Sequence, residues 1–266
     1  MKLEILAQHP GATAQPTPLL FVHGAWHGAW CWAETFLPYC AEHGYHSYAV
    51  SLRGHGGSLN EHSMRFTSVW DYVMDVARAA AQIKQETGAR PVVVGHSMGG
   101  YVVQKYLEEH TAPAAVLLAS IPVIGTLPFT LRMVANYPLV MLRTLLEMRA
   151  YPMVGTPQLA QQLFFSESLP EETVRAYHRH MVDESLRIVA EAAFLERIQP
   201  KKMNIAPILV LAALNDQVFT TEEENATAQA YGIKAEFFKM AHDMMLEPGW
   251  QQVADRIIDW LHDIGL

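Results

Sequence analysis

Short apolar stretches alternate with amphipathic stretches along most of the chain. The amphipathic stretches have the pattern of helices and lie at residues 30–43, 68–87, 98–110 and 250–264. The apolar stretches are typical of buried strands and lie at residues 3–8, 17–24, 46–51, 92–94, 114–120, 206–216 and 234–243. Strands that alternate with helices form a mostly parallel sheet covered on both faces, so the pattern predicts an α/β fold.

The strand pattern stops between residues 121 and 202. This stretch is helical in character and very apolar, as in "LPFTLRMVANYPLVMLRTLLEM". The strand pattern then resumes, which is what an insertion between two strands of one sheet would produce. We therefore predict a core made of residues 1–120 and 203–266, with residues 121–202 as a helical cap.

Composition narrows the class of protein. Half of the 266 residues are hydrophobic and 17% are charged, which suits a well-buried core. The net charge is −8 without a basic cluster, so we expect no nucleic-acid partner. No run approaches the ~18 apolar residues of a membrane span, and the N-terminal stretch lacks the apolar segment of a signal peptide. We therefore expect a cytoplasmic protein. Cys31 and Cys40 lie in one predicted helix, and this position argues against a disulfide framework.

A serine lies between a predicted strand and a predicted helix in "PVVVGHSMGGYVVQ". Gly95 and Gly99 flank Ser97 at two residues on either side, and Gly100 follows. Glycine at these positions permits close packing of strand and helix, and the sharp turn holds the serine in a strained backbone conformation that exposes its hydroxyl. Ser97 is therefore the candidate nucleophile.

A serine hydroxyl needs a base, and the base needs a carboxylate that fixes its tautomer. His242 follows the last predicted strand, and Asp216 ends the strand before it. The order Ser97, Asp216, His242 is the one this architecture requires. We expect Asp243 to be solvated or to cap a helix, and Glu222 to Glu224 to complement a helix N-terminus.

The negative oxygen of a tetrahedral intermediate needs hydrogen-bond donors. The N–H of Met98 opens the helix after the serine, and the positive helix end adds to its effect. A second donor is expected from the loop "HGAW", where Gly24 lets the N–H of Ala25, or alternatively of Trp26, point at the serine.

These motifs together resemble the α/β-hydrolase superfamily. "FVHGAWHGAWCW", "SLRGHGGS", "GHSMGG", "LNDQV" and "AHDMMLEP" occur in family order and spacing over nearly the whole chain. The resemblance is greatest to the monoglyceride lipase, lysophospholipase and carboxylesterase group. It implies Ser97 as nucleophile, Asp216 as acid, His242 as base, Ala25 and Met98 as oxyanion donors, and a cap inserted after the sixth core strand. One departure is Ser51, which stands where the family usually has a structural aspartate.

The resemblance implies a serine hydrolase that cleaves carboxylic esters with short-to-medium acyl chains, or monoglyceride-like esters. Pocket residues are expected at Trp26, Val123, Val218 and Met244. Amidase, lactonase, carbon–carbon bond hydrolase and cofactor-free perhydrolase chemistry would use the same triad, and a ligand-binding receptor could use the same scaffold. Hydroxynitrile lyases of this fold carry lysine after the catalytic histidine, where this chain has Asp243.

The expected partner is a small-molecule ester, with neither a metal nor another cofactor. Zinc ligation by His23, His27 and His55 would need all three on one face with a fourth ligand, which glycine-rich loops do not guarantee. "RGHGGS" lacks the lysine of a phosphate-binding loop. For the apolar run "MVANYPLVML" we favour a buried cap helix, with weak contact to a lipid interface as the alternative. The sequence leaves the oligomeric state open.

Overall fold

The strands of the described residues are β1 Glu4–Gln8, β2 Leu19–Val22, β3 Ser47–Ser51, β4 Val92–His96, β5 Ala115–Leu118, β6 Ile208–Ala213 and β7 Glu236–Phe238. They form one seven-stranded sheet at the centre of the molecule, in the spatial order β1-β3-β2-β4-β5-β6-β7. The computed structural model describes residues 2–11, 13–61, 63–203 and 206–266. β1 pairs antiparallel with β3, and the other neighbours pair in parallel.

Helices cover the sheet, and the central strands β2, β4 and β5 are buried along their whole length. The helices are α1 Trp30–Ala33, α2 Phe36–Glu42, α3 Val69–Thr87, α4 Met98–Glu109, α5 Leu127–Asn136, α6 Pro138–Glu147, α7 Pro157–Phe164, α8 Glu171–His178, α9 Leu186–Ala190, α10 Thr221–Ala230 and α11 Trp250–Asp263. The predicted α/β fold class, a mostly parallel sheet flanked by helices, is confirmed. Within the described ranges, no helix is both long and apolar enough to cross a membrane.

Two details of the predicted fold are wrong. The helix expected at residues 30–43 is divided into α1 and α2, because Pro38 has no N–H and would clash with the preceding turn inside one continuous helix. The helical insertion follows β5, the fifth strand, and not the sixth. Within residues 2–11 and 13–18, which the structure describes, β1 is the one strand that precedes β2.

Residues 121–202 are all described, and every regular element in them is helical, including short turns at Tyr151–Val154 and Pro200–Lys202 and a wide turn at Glu191–Leu195. The division into core and cap remains a prediction. Residues 204 and 205, next to the predicted boundary, lie outside the described residues.

One face of the insertion is more exposed than predicted. Among the α6 side chains, only Thr144 is fully buried. Leu139 is 79% exposed and Leu146 is 76% exposed, with Leu142 and Leu145 also on the surface. The expectation of a buried helix here is wrong, because α6 packs through Thr144 and the partly buried Val140 and Met141 and leaves most of its leucines outside.

Ser51, which stands where the family usually has a structural aspartate, lies beside a carboxylate of another strand. Glu4 of β1 lies opposite Ser51 of β3, and the Ser51 hydroxyl donates to the Glu4 carboxylate at 2.5 Å. Ser51 Oγ in turn accepts the N–H of Ala29 at 2.9 Å. A Cβ on Gly57 would lie 2.7 Å from Glu4 Oε1, so this glycine-rich loop packs on a protein carboxylate.

Close packing at the turn between β4 and α4 explains its glycines. A Cβ on Gly95 would lie 2.7 Å from the Gly100 Cα, and a Cβ on Gly99 would lie 2.5 Å from the carbonyl oxygen of His23. Both obstacles are backbone atoms, which a rotamer change cannot move.

We therefore predict that Gly99→Ala lowers the free energy of unfolding by about 3 kcal/mol or more, at the upper end of the cost of overpacking. Gly11→Ala is the matched control, because nothing lies within 4 Å of a Cβ placed there. Denaturant unfolding of both variants measures the difference. Equal stability of the two variants would show that the turn is not tightly packed.

Candidate active site

Ser97 occupies the turn between β4 and α4 with φ 52° and ψ −118°, a backbone conformation that non-glycine residues rarely adopt. Its N–H donates to the Leu118 carbonyl at 3.0 Å, and its carbonyl accepts the N–H of Ile121 at 3.0 Å. These two bonds anchor the strained turn to the end of β5. The side chain is therefore held at the carboxyl edge of the sheet.

The structure brings Ser97, His242 and Asp216 into one line. His242 Nε2 lies 2.9 Å from Ser97 Oγ, and His242 Nδ1 lies 2.7 Å from Asp216 Oδ2. The side chains of His242 and Asp216 are each 1% exposed. A carboxylate only accepts hydrogen bonds, so Nδ1 carries the proton and Nε2 is free to accept the serine proton.

Backbone donors fix the acid. Asp216 Oδ1 accepts the N–H of Val218 at 2.6 Å and that of Phe219 at 3.0 Å, which leaves Oδ2 for the histidine. Asp216 follows β6, and His242 follows β7. These strands are parallel neighbours, so their carboxyl ends lie at the same edge of the sheet.

The loop after β2 approaches the serine closely. A Cβ on Gly24 would lie 3.0 Å from Ser97 Cβ and 2.9 Å from His96 Nδ1, so only glycine fits there without a shift. Ala25 follows it and is half-buried. Met98 is the first residue of α4, and the first N–H groups of a helix lack intrahelical partners. Both predicted oxyanion donors thus come from segments adjoining Ser97, and their role remains a prediction.

The four predicted pocket residues occupy different surroundings. Trp26 is buried, with φ 64°, and its ring centroid lies 5.6 Å from that of Phe164. Val218 and Met244 are also buried, and each is two residues from a member of the triad. Val123 is half-buried, with its N–H donating to Thr227 of α10 at 3.2 Å. Contact of these four with a substrate remains a prediction.

Two residues next to the triad were not predicted. Phe164, at the end of α7, places its ring centroid 5.6 Å from that of His242. His96 donates from Nε2 to the His242 carbonyl at 3.0 Å. Burial, followed by the charge of His242, lowers the pKa of His96 to about 3, so it is neutral. An aromatic residue in the apolar insertion carries no distinct signal, whereas the position of His96 beside Ser97 could have indicated its place.

Asp243 is neither solvated nor a helix cap, contrary to the prediction. Its side chain is fully buried, with Oδ2 2.9 Å from Nε2 of His27. Its N–H donates to the Phe164 carbonyl at 3.0 Å, so the inserted helices cover this loop. The side chains of His242 and Asp243 do diverge, but Asp243 points towards the buried His27 and not towards solvent.

Donor atoms of His96, His242 and Asp243 lie within 4.8 Å of one another. Each residue already has a partner, because His242 contacts Ser97 and Asp216, His96 donates to a carbonyl, and Asp243 faces His27. A metal bound by these three atoms would have to break those contacts. The residues therefore fit a proton-transfer site better than a metal site.

Glu224 departs from the expected role at the N-terminus of α10. The neighbouring Glu223 does complement that end, in a capping box with Thr220. Glu224 is instead buried, and neither of its carboxyl oxygens has a hydrogen-bond partner among the described residues. Burial, followed by the charges of Asp216 and Glu223, raises the pKa of Glu224 well above its usual range.

The fold is that of an α/β hydrolase. A model of the alpha/beta hydrolase family matches residues 19–256, and the chain belongs to this family.

Curated relatives extend the likeness to esterases. The chain is 30% identical over 179 residues to probable esterase PIR7A of Oryza sativa subsp. indica, an alignment of 59% of this chain and 63% of that protein. It is 34% identical over 112 residues to pFDCC methylesterase MES16 of Arabidopsis thaliana, covering 41% of each chain. The chain thus matches less than two thirds of the length of these relatives.

Solved structures share the fold at low sequence identity. A monoacylglycerol lipase of Paleococcus ferrophilus superposes with a TM-score of 0.69 at 19% identity and 98% coverage of both chains. A thermophilic esterase of Thermogutta terrifontis gives a TM-score of 0.73 at 20% identity, with 99% of this chain and 94% of that chain covered. The predicted resemblance to the α/β-hydrolase superfamily and its esterases is confirmed, and the likeness to the monoacylglycerol lipase is one of fold.

The buried Glu224 gives a pH-dependent prediction. A carboxyl group with a raised pKa in the folded state stabilises the protein fully at pH values below its unfolded pKa, and this contribution is lost as the pH rises through the folded pKa. Glu224→Gln mimics the neutral form and should raise the Tm at pH 8 relative to the parent, while changing it little at pH 4.5. A gain of about 1 kcal/mol corresponds to roughly 2–4 °C.

Thermal unfolding at the two pH values measures this effect. Glu222→Gln is the matched control on the same turn, because Glu222 is exposed and the pKa of its carboxyl is lowered by hydrogen bonding, first to its own backbone. A Glu224→Gln variant that gains nothing at pH 8 would contradict a neutral buried carboxyl.

Proposed function

We propose that the chain is a serine hydrolase that cleaves carboxylic esters through an acyl-enzyme. The observation that carries the proposal is the continuous line from Ser97 Oγ through His242 to Asp216, with contacts of 2.9 and 2.7 Å. A serine next to a correctly oriented neutral histidine is an activated nucleophile. The esterase names of the relatives support esters as the substrate class.

In this mechanism Ser97 Oγ attacks the ester carbonyl while His242 Nε2 takes the hydroxyl proton. Asp216 stabilises the imidazolium that forms. The N–H groups of Ala25 and Met98 bind the oxyanion, and each such donor typically contributes about 3 kcal/mol to transition-state stabilisation. His242 then protonates the departing alcohol, and a water molecule activated by the same histidine releases the acid.

Residues 121–202 would form the cap over the acyl pocket. Phe164 from this segment packs on the His242 and Trp26 rings, and Ser97 is only 9% exposed beneath it. Apolar walls of this kind favour the acyl chain of a neutral ester over a charged substrate. A short-to-medium acyl chain or a monoglyceride-like ester fits this arrangement.

We predict multiple turnovers on a series of p-nitrophenyl esters of increasing acyl length. Ser97→Ala should lower kcat by about 10⁴- to 10⁶-fold, and Asp216→Asn by about 10⁴-fold, because neither variant retains an activated nucleophile. Ser166→Ala is the control, since this hydroxyl is hydrogen-bonded to that of Ser168, among the residues that the structure describes, in an exposed part of the insertion. The acyl length with the highest kcat/KM measures the length of acyl chain that the pocket accommodates.

Failure of a well-folded parent on every ester would overturn the ester assignment. Matched amides and lactones, assayed with the same variants, then separate the other triad chemistries. Binding of a ligand without turnover would indicate a receptor.

The exposed leucines of α6 extend the proposal to weak contact with a lipid interface. Because the net charge is −8, we predict binding to zwitterionic phosphatidylcholine vesicles through apolar contact. Replacing Leu139 and Leu146 by Gln should reduce co-sedimentation with the vesicles several-fold at unchanged Tm. Leu59→Gln, which removes a leucine 68% exposed on the loop after β3, is the control. A parent that stays in the supernatant at millimolar lipid would contradict the contact.

A further inference from the structure

A buried histidine outside the triad contacts the two loops that the proposed mechanism requires. His27 lies on the loop after β2, is 2% exposed, and donates from Nδ1 to the Ala25 carbonyl at 2.7 Å. Its Nε2 lies 2.9 Å from Asp243 Oδ2. Ala25 is one of the two predicted oxyanion donors, and Asp243 is the chain neighbour of His242.

The surroundings of His27 define its charge. Both ring nitrogens face oxygen atoms, so the doubly protonated ring satisfies both contacts, whereas a neutral ring would direct a lone pair at one of them. The Nε2 contact is not aligned as a hydrogen bond, and its attraction is that of an ion pair. Burial lowers the pKa of His27, but the charge of Asp243 and hydrogen bonding outweigh it and raise the pKa overall.

Three titratable groups around His27 and Asp243 are neutral. His96 approaches Asp243 at 3.6 Å and is neutral. Burial also lowers the pKa of His23 well below its usual range and raises that of the Cys31 thiol well above its usual range, so both are neutral. Asp243 also interacts electrostatically with His242 and with the Tyr177 hydroxyl. The rings of Trp30, at 5.2 Å, and Phe164, at 5.8 Å, lie beside His27. His27 is therefore the cation of this buried cluster, and Asp243 is its anion.

We propose that the His27–Asp243 ion pair is a positioning device that fixes the oxyanion loop relative to the catalytic histidine. One end of the His27 ring holds the peptide of Ala25, and the other holds the residue that follows His242. Neither His27 nor Asp243 touches the Ser97 hydroxyl in this structure. The role rests on the proposed function, since it orients the Ser97 site and performs no chemistry of its own.

The pair makes the geometry dependent on pH. His27 loses its charge as the pH rises through its raised folded-state pKa, and Asp243 is then a buried carboxylate without a cation. We expect the oxyanion loop to loosen at that point, so the rate constant should fall on the alkaline side. Misplacement of catalytic groups by about 1 Å costs up to about 100-fold in rate.

The test measures kcat, KM and the rate of covalent labelling by a fluorophosphonate as functions of pH. His27→Gln should lower kcat and the labelling rate by about 10- to 100-fold, leave KM nearly unchanged, and remove the alkaline decline. Asp243→Asn should act in the same way. The double variant His27→Gln/Asp243→Asn, which pairs two neutral amides, should lose less than the product of the two single losses.

The matched control is His55→Gln. His55 and Glu184 form a second buried histidine–carboxylate pair at 3.1 Å, and the other ring nitrogen of His55 faces the Arg53 carbonyl. This variant should lower the Tm and leave the pH profile of the parent unchanged. Imidazole ¹⁵N spectra of the parent should show His27 doubly protonated at pH 7.

The outcomes distinguish this proposal from the function on which it rests. If the parent reacts and His27→Gln matches His55→Gln in rate and pH profile, the positioning role is wrong and the hydrolase assignment stands. A neutral His27 at pH 7 would also overturn it. If the parent neither takes the fluorophosphonate label nor hydrolyses any ester, the proposed function fails and the positioning role fails with it.

Discussion

The site depends on one steric constraint, the contact between the turn at Ser97 and the end of β2. Backbone atoms occupy the space that a Cβ on Gly95 or Gly99 would need. Because glycine has no Cβ, α4 can start directly against the sheet. Ser97 must then take φ 52°, and its bonds to the end of β5 keep it there. The strain at this residue is offset by the packing of the buried strands around it.

Parallel neighbours complete the arrangement. Asp216 follows β6, His242 follows β7 and Ser97 follows β4, so all three lie at the carboxyl edge of the same sheet. The sheet therefore brings together three residues that are far apart in the sequence. The inserted helices add Phe164 over the His242 ring. A buried ion pair behind the histidine, between His27 and Asp243, then connects this loop to the one after β2.

Sequence patterns predicted the parts that local chemistry determines. Glycine spacing and strand–helix alternation were sufficient to predict the turn at Ser97 and the fold class. The failures were long-range: the burial of Asp243 depends on α7 covering its loop, and the burial of Glu224 depends on the surroundings of α10. The exposed leucines of α6 were also missed, because an apolar stretch looks the same whether its partner is the core or nothing in this chain.

Trapping the acyl-enzyme tests the central claim most directly. The protein is mixed with a p-nitrophenyl ester and quenched in acid within milliseconds, and peptide mass spectrometry then locates any added acyl group. An acyl-enzyme mechanism predicts that the peptide containing Ser97 gains the mass of the acyl group less one hydrogen, at the rate of the p-nitrophenol burst. Release of p-nitrophenol with Ser97 unmodified, or with the acyl group on another residue, would contradict it.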